Sequence, residues 1–205
     1  MKKLIILAAA LLMGWQARAQ VIVGGGFIHS SEKVKLTQVD NASAHRGMMN
    51  GIYVGASYYY SLDEVLDGLA FQPGANLSML IGRHWNYNTY KERELAFNVP
   101  LLAGYTFPIG ETVKLFAQTG PTLQVALSHK VKDQQGTTWS LLNKNNTFGE
   151  SRNRFNLYWG LSAGAELNEN IRFELGWDLG LLNMSADKSL SIRRGYLHLG
   201  VGYLF

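Results

Sequence analysis

Few side chains in this 205-residue sequence could do chemistry, and they are scattered. His198 is the first candidate. With Ser162 or Ser128 and one of the glutamates it would make a hydrolase trio, the histidine drawing the serine proton and the carboxylate orienting the ring. No nucleophile motif surrounds either serine, and residues so distant in sequence act together only if the fold assembles them. The five histidines, His29, His45, His84, His129 and His198, show no metal-ligand spacing. Gly24-Gly25-Gly26 lacks the strand-to-helix setting of a phosphate loop. There is no cysteine, which excludes disulfides and thiolate metal sites. The residues therefore assign no catalytic role, no metal and no cofactor.

A second set of charges has a pattern. From Ile171 onward, Ile171, Phe173, Leu175, Trp177, Leu179 and Leu181 alternate with Arg172, Glu174, Gly176, Asp178 and Gly180. Period two is the signature of a strand with unlike faces, here one apolar and one charged or small. The same dyad repeats along the chain, and the strands it predicts lie near 21–30, 51–61, 69–84, 91–107, 112–130, 155–167, 171–181 and 194–205. In 194–205 the apolar face is Leu197, Leu199, Val201, Tyr203 and Phe205. Apolar outward faces and polar inward faces on eight strands predict an all-β fold: an eight-stranded, antiparallel, up-and-down transmembrane β-barrel. The last strand must then pair with the first, because a spanning sheet leaves no edge in hydrocarbon. Eight strands enclose only enough room for side chains to fill. Lys114, Glu166, Arg172, Glu174 and Asp178 are expected there as a structural ion network, since a buried charge without a partner is costly. Pro73, Pro100 and Pro121 fall inside strands and are expected at bulges or bends.

The connections support this reading. Those near 62–68, 108–111 and 168–170 are short, whereas 31–50 and 131–154 are long and polar. Short periplasmic turns with longer outer loops would put both termini in the periplasm. Outward aromatics gather at the strand ends, as two interfacial girdles require. The chain opens with Met1-Lys2-Lys3, an apolar run over 4–13 and the small-x-small site Ala17-Arg18-Ala19. This predicts a signal peptide over 1–19, cut between Ala19 and Gln20, with the barrel domain over 20–205. Lys2, Lys3 and Arg18 would leave with it, so the formal charge of +4 falls to about +1 and gives no argument for nucleic acid. Toward the long connections the chain is basic. Arg93, Lys130, Arg152, Arg154, Arg193 and Arg194 are expected as lipopolysaccharide contacts through charge-assisted hydrogen bonds to phosphate. The plainer alternative is a solvated rim in which Glu92, Asp133, Glu150 and Asp187 are mixed.

The chain resembles the PorT-type outer-membrane β-barrel proteins over essentially its whole mature length. The resemblance is carried by Gly51-Ile52-Tyr53-Val54-Gly55, Phe71-Gln72-Pro73, Phe97-Asn98-Val99-Pro100-Leu101-Leu102, Ala117-Gln118-Thr119-Gly120-Pro121, Gly160-Leu161-Ser162-Ala163-Gly164 and Leu197-His198-Leu199-Gly200-Val201-Gly202-Tyr203. It implies outer-membrane location, eight strands and no enzymatic site to transfer, with a link to secretion or envelope maintenance through a protein partner. It also implies that the terminal aromatic strand, Tyr203 and Phe205 above all, is read by the barrel-insertion machinery. Two other readings remain open: a lipid-modifying outer-membrane enzyme and a soluble lipocalin-like binder.

Overall fold

Alternation becomes geometry in a computed structural model that describes residues 19–37, 45–87 and 89–205. The expected signal peptide lies outside the described residues except for Ala19, which begins the first strand. The strands are β1 (Ala19–Leu36), β2 (His45–Ser61), β3 (Leu69–Arg83), β4 (Lys91–Ile109), β5 (Val113–Lys132), the short β6 (Thr138–Ser140), β7 (Phe155–Leu167), β8 (Ile171–Gly180) and β9 (Leu190–Leu204). Each long strand pairs antiparallel with the next, β5 pairs directly with β7, and β4–β5 completes the ring. The seam joins β1 to β9, from Ile22 opposite Leu204 to Leu36 opposite Leu190. The eight long strands thus close into a barrel with no free edge, and β6 is a flap on the end of β5.

The outward faces are apolar and exposed on every strand. Phe173, Leu175, Trp177 and Leu179 of β8 and Leu197, Leu199, Val201 and Tyr203 of β9 are all about half exposed. So much apolar surface, wrapped around a barrel, belongs against hydrocarbon. Tyr58–Tyr60, Tyr105–Phe107 and Tyr203–Phe205 form ring pairs outside the short-turn end. Inward, glycines create the space that larger lumen side chains use. A Cβ at Gly176 would collide with the His198 ring, and one at Gly200 with the Tyr53 hydroxyl.

The prolines do not shift register. Pairing skips Pro73 between β2 and β3, and it skips the stretch beside Pro121 between β4 and β5, with equal residue counts on both sides. A residue without N–H cannot donate to the ladder, so the pairing lapses there without a bulge. The bulge lies elsewhere: Leu95 faces Ser128 while Ala96 faces Ala126, leaving Leu127 extra. Ser128, expected inward, therefore sits opposite outward Leu95. At the long-loop end β1 runs on to Leu36, along the alternation that starts at Lys33, and β2 starts at His45, so most of 31–50 is strand.

Candidate functional site

The dyad rule and the closed ring put every even-numbered residue of β7 and β8 into the lumen, where three polar layers form. The layer nearest the short turns is centred on Arg172. Its Nη1 donates to Glu166 at 2.7 Å and its Nη2 to Gln118 at 2.8 Å. Its guanidinium lies 3.4 Å from the centre of the Phe116 ring. Gln118 donates to Glu174 at 3.0 Å. His198 places Nε2 3.1 Å from Glu174 and Nδ1 3.4 Å from Asp178. A cavity of about 160 Å³ lies beside this layer, lined also by Tyr53, Ser57, Gln72 and Asn76.

The middle layer is neutral. Asn98 donates to Asn76 and Ser78, Gln124 donates to Asn98 and to the Tyr196 hydroxyl, and Tyr158 donates to Gln124. Ile28, Met49 and Leu80 pack against the two tyrosines. Leu80 points inward and is fully buried, and Leu102 lines the cavity.

At the long-loop end the lumen is closed by a larger network. Arg194 donates through Nε to Glu32 at 2.8 Å and through Nη1 to Glu94 at 2.6 Å. Its Nη1 also reaches the Tyr196 hydroxyl, tying this layer to the one below. His129 lies between Glu92, at 2.6 Å, and Glu94, at 2.9 Å. The segment 133–154 folds back over the opening. Its Arg152 inserts to donate to Glu32 at 2.7 Å and to Glu150 at 3.0 Å. Glu150 accepts from Trp85 Nε1 at 2.9 Å and lies 3.1 Å from His84. Burial opposes ionisation of Glu150, but His84, Arg152 and Trp85 overcome it and hold the carboxyl down to about 2. Burial likewise works against the Arg152 charge, and Glu32, Glu92 and Glu150 outweigh it, raising its pKa further. Above these groups, Tyr87, Tyr90, Trp139 and Phe148 stack against one another and against His84. Backbone bonds Leu141 to His129 and Arg152 to Leu141, with the bridge between Arg152 and Ser185, hold the cap in place.

Several expected residues stand elsewhere. Glu166, Arg172, Glu174 and Asp178 do meet in the lumen, but Lys114 does not join them. It pairs at 3.0 Å with Glu169 of the neighbouring short turn, partly in solvent, because it lies at the very end of β5. Arg152 and Arg194 are not rim residues: both are buried inside the outer network. Glu92 and Glu150 are not solvated acids of the rim but members of that network. Arg93, Lys130, Arg154 and Arg193 are exposed at the long-loop edge. Tyr203 and Phe205 face outward beside the seam, where the Phe205 amide donates to Val21 at 2.9 Å. Ser162 and His198 do come together beside Gly176, each against Glu174, but in the wrong order for a hydrolase trio, with the carboxylate rather than the ring against the serine. Both ring nitrogens of His198 face carboxylates, which leaves neither to take a proton from Ser162, and Ser128 lies at the bulge on the outside.

The outer network itself was only partly legible. Glu94 shows in the alternation of β4, but His129 does not: continuing the phase of β5 would turn it outward, and only the bulge brings it in. Nothing local marks Arg152 as a lumen residue, since it lies on no long strand.

The family model of the outer membrane protein beta-barrel domain matches residues 5–205. No curated protein matches the chain. Among solved structures, it is similar to Ail, the attachment invasion locus protein of Yersinia pestis, at 15% identity and a TM-score of 0.45, over 92% of this chain and 99% of that one. It is similar to Neisserial surface protein A at 13% identity and 0.46, over 90% and 97%. It is similar to OprG of Pseudomonas aeruginosa at 14% identity and 0.46, over 92% and 96%.

Proposed function

The chain belongs to the outer membrane protein beta-barrel domain family, and from that membership we propose that it is a non-enzymatic outer-membrane platform rather than a channel. In this reading it is exported on its leader, loses residues 1–19 and closes with both termini and the short turns in the periplasm. The long loops then face outward and contact lipopolysaccharide or a protein partner. The PorT-type resemblance supplies the kind of role: assistance to protein secretion or to envelope maintenance.

The observation that carries the reading is the cap. A path through the lumen would have to displace Arg152 and Arg194 from four buried carboxylates, Glu32, Glu92, Glu94 and Glu150. Removing one partner from such a cluster leaves a buried charge unpaired, which costs several kcal/mol, about 3–5. A route that expensive is a poor channel, and what the chain then offers its surroundings is the fixed surface of the cap.

Liposome swelling with the full mature chain tests this. Reconstituted protein should admit small sugars no faster than empty liposomes, and a variant lacking 138–152 should admit them. Porin-like uptake by the unaltered chain would sink the platform reading. Lipid A mass profiles with and without the protein should be the same; an acyl change would favour the lipid-modifying enzyme instead.

A further inference from the structure

At the long-loop edge the period-two rule sorts charge by sign. In Lys91-Glu92-Arg93-Glu94, both glutamates turn into the lumen and both cations turn outward. The inner carboxylates are engaged by Arg152, Arg194 and His129, so none is left to offset the cations outside. The register then stacks those cations directly opposite one another. Arg83 faces Lys91, Lys91 faces Lys132, and Arg93 faces Lys130. All five are exposed, and no carboxylate among the described residues forms an ion pair with any of them.

Like charges directly opposite on neighbouring strands destabilise the pairing. Three such pairs in adjacent strands point to a missing anion. The bulge at Leu127 matters here a second time. It turns His129 in to Glu92 and Glu94, and by the same step turns Lys130 out to face Arg93. Directly below, Ile81, Leu95 and Leu127 are outward and exposed, so the cations stand at the upper border of the apolar belt. An anion held there has hydrocarbon immediately beneath it. The short-turn edge is the opposite: its three turns carry Asp63, Glu64, Asp67, Glu111 and Glu169, while Lys114 is already paired.

We propose that Arg83, Lys91, Arg93, Lys130 and Lys132 form one binding site for the phosphate groups of a phosphorylated glycolipid of the lipid A class. Its acyl chains lie along Ile81, Leu95 and Leu127. Arg83 and Arg93 present forked donors suited to phosphate oxygens, and the lysines supply point charge. The inference sharpens the lipopolysaccharide reading above and rests on it only for which leaflet the site meets. Lys33, opposite both Arg46 and Arg193, continues the same edge around β1.

Native mass spectrometry on the full mature chain, refolded in detergent, tests the site. The probes are bis-phosphorylated lipid A and its dephosphorylated form. Folding is checked by heat-modifiable migration on a gel. The unaltered chain and a loop control, K144Q/K188Q, should retain phosphorylated lipid A at least about tenfold better than the dephosphorylated lipid. K91Q/R93Q/K130Q should lose that preference. Without lipid and at low salt, this triple variant should melt higher than the unaltered chain, because the repulsion is relieved; if it fails to fold, R93Q and K130Q singly carry the same test. Equal retention of the two lipids, or an undiminished preference in the variant, overturns the site. Displacement of lipid A by millimolar inorganic phosphate would make it a free-anion site and overturn the lipid assignment. Trypsin shaving of intact cells reports loop orientation separately, so failure there leaves the binding result standing.

Discussion

The two ends of the lumen are both held by buried ions, yet they are built differently. The layer around Arg172 draws all its charged members from β7, β8 and β9, next to one another in the ring, and Glu166 is the direct cross-strand partner of Arg172. The layer around Arg194 joins β1, β4, β5 and β9 across the barrel and completes itself with Arg152 from a loop. The first is local sheet pairing turned inward. The second contains direct pairs as well, Glu32 with Arg194 and Glu94 with His129, but it is a keystone because Arg194 and Arg152 each also bridge β1 to β4, which do not pair. Such a layer ties the ring together across its diameter and couples its closure to the folding of a loop. A layer beside a cavity can admit water, whereas the outer network leaves its side chains almost wholly inaccessible.

The sharpest way to break this contrast is to remove the two arginines separately. Arg194→Leu leaves Glu32 to Arg152 and Glu94 to His129 and cuts the link between them, and it should cost about 3–5 kcal/mol, read as loss of the heat-modifiable band or a large fall in melting temperature. Arg172→Leu should also destabilise the folded band, but less, because Glu174 borders a cavity where water can hydrate it. Equal losses would mean that the two layers are energetically alike. Deleting Leu127 should come next. Without the bulge His129 turns outward and Lys130 turns into the network, so the cap should become sensitive to protease while the barrel band survives. Arg152→Ala should do less, because Glu32 keeps Arg194, Glu92 keeps His129 and Glu150 keeps His84: the loop 133–154 loosens, small-solute uptake rises, and the melting temperature falls by less than in Arg194→Leu. An unaltered cap in that variant would show that the aromatic cluster alone holds it. Acid gives a gentler test. The Glu150 carboxyl is lowered, so its contribution is fully present above the ordinary value near 4.5 and is lost as pH falls toward about 2. Protease resistance of the cap should therefore persist from neutral pH to about 4.5 and decline only below it. The smallest effect belongs to Lys114→Ala, under about 1 kcal/mol, since its pair with Glu169 lies largely in solvent.

The same contrast explains what could be read early. The Arg172 layer follows from alternation alone, because Glu166, Arg172, Glu174 and Asp178 share a face whatever the details of closure. Lys114 shares that face too, but a strand's phase says nothing about depth, and its depth decided its partner. The expectation for Arg194 failed differently. Its position next to Arg193 gave two cations at the start of a strand; the phase of Leu197, Leu199 and Val201 already turned Arg194 inward, but only the run of β9 back to Leu190 put that position inside the barrel wall rather than on its rim.

The amino-acid sequence by itself determined the eight strands, their inward and outward faces and the need for a seam between the first and last, because a period of two and the demand for paired backbone groups in hydrocarbon are local constraints. Only the tertiary structure decided where the charges meet. Arg152 reaches Glu32 across a sequence separation of 120 residues, and His129 enters the lumen through one extra residue in a ladder. Contacts across a closed ring depend on register, bulges and the path of a loop, and none of these leaves a periodic trace in the chain.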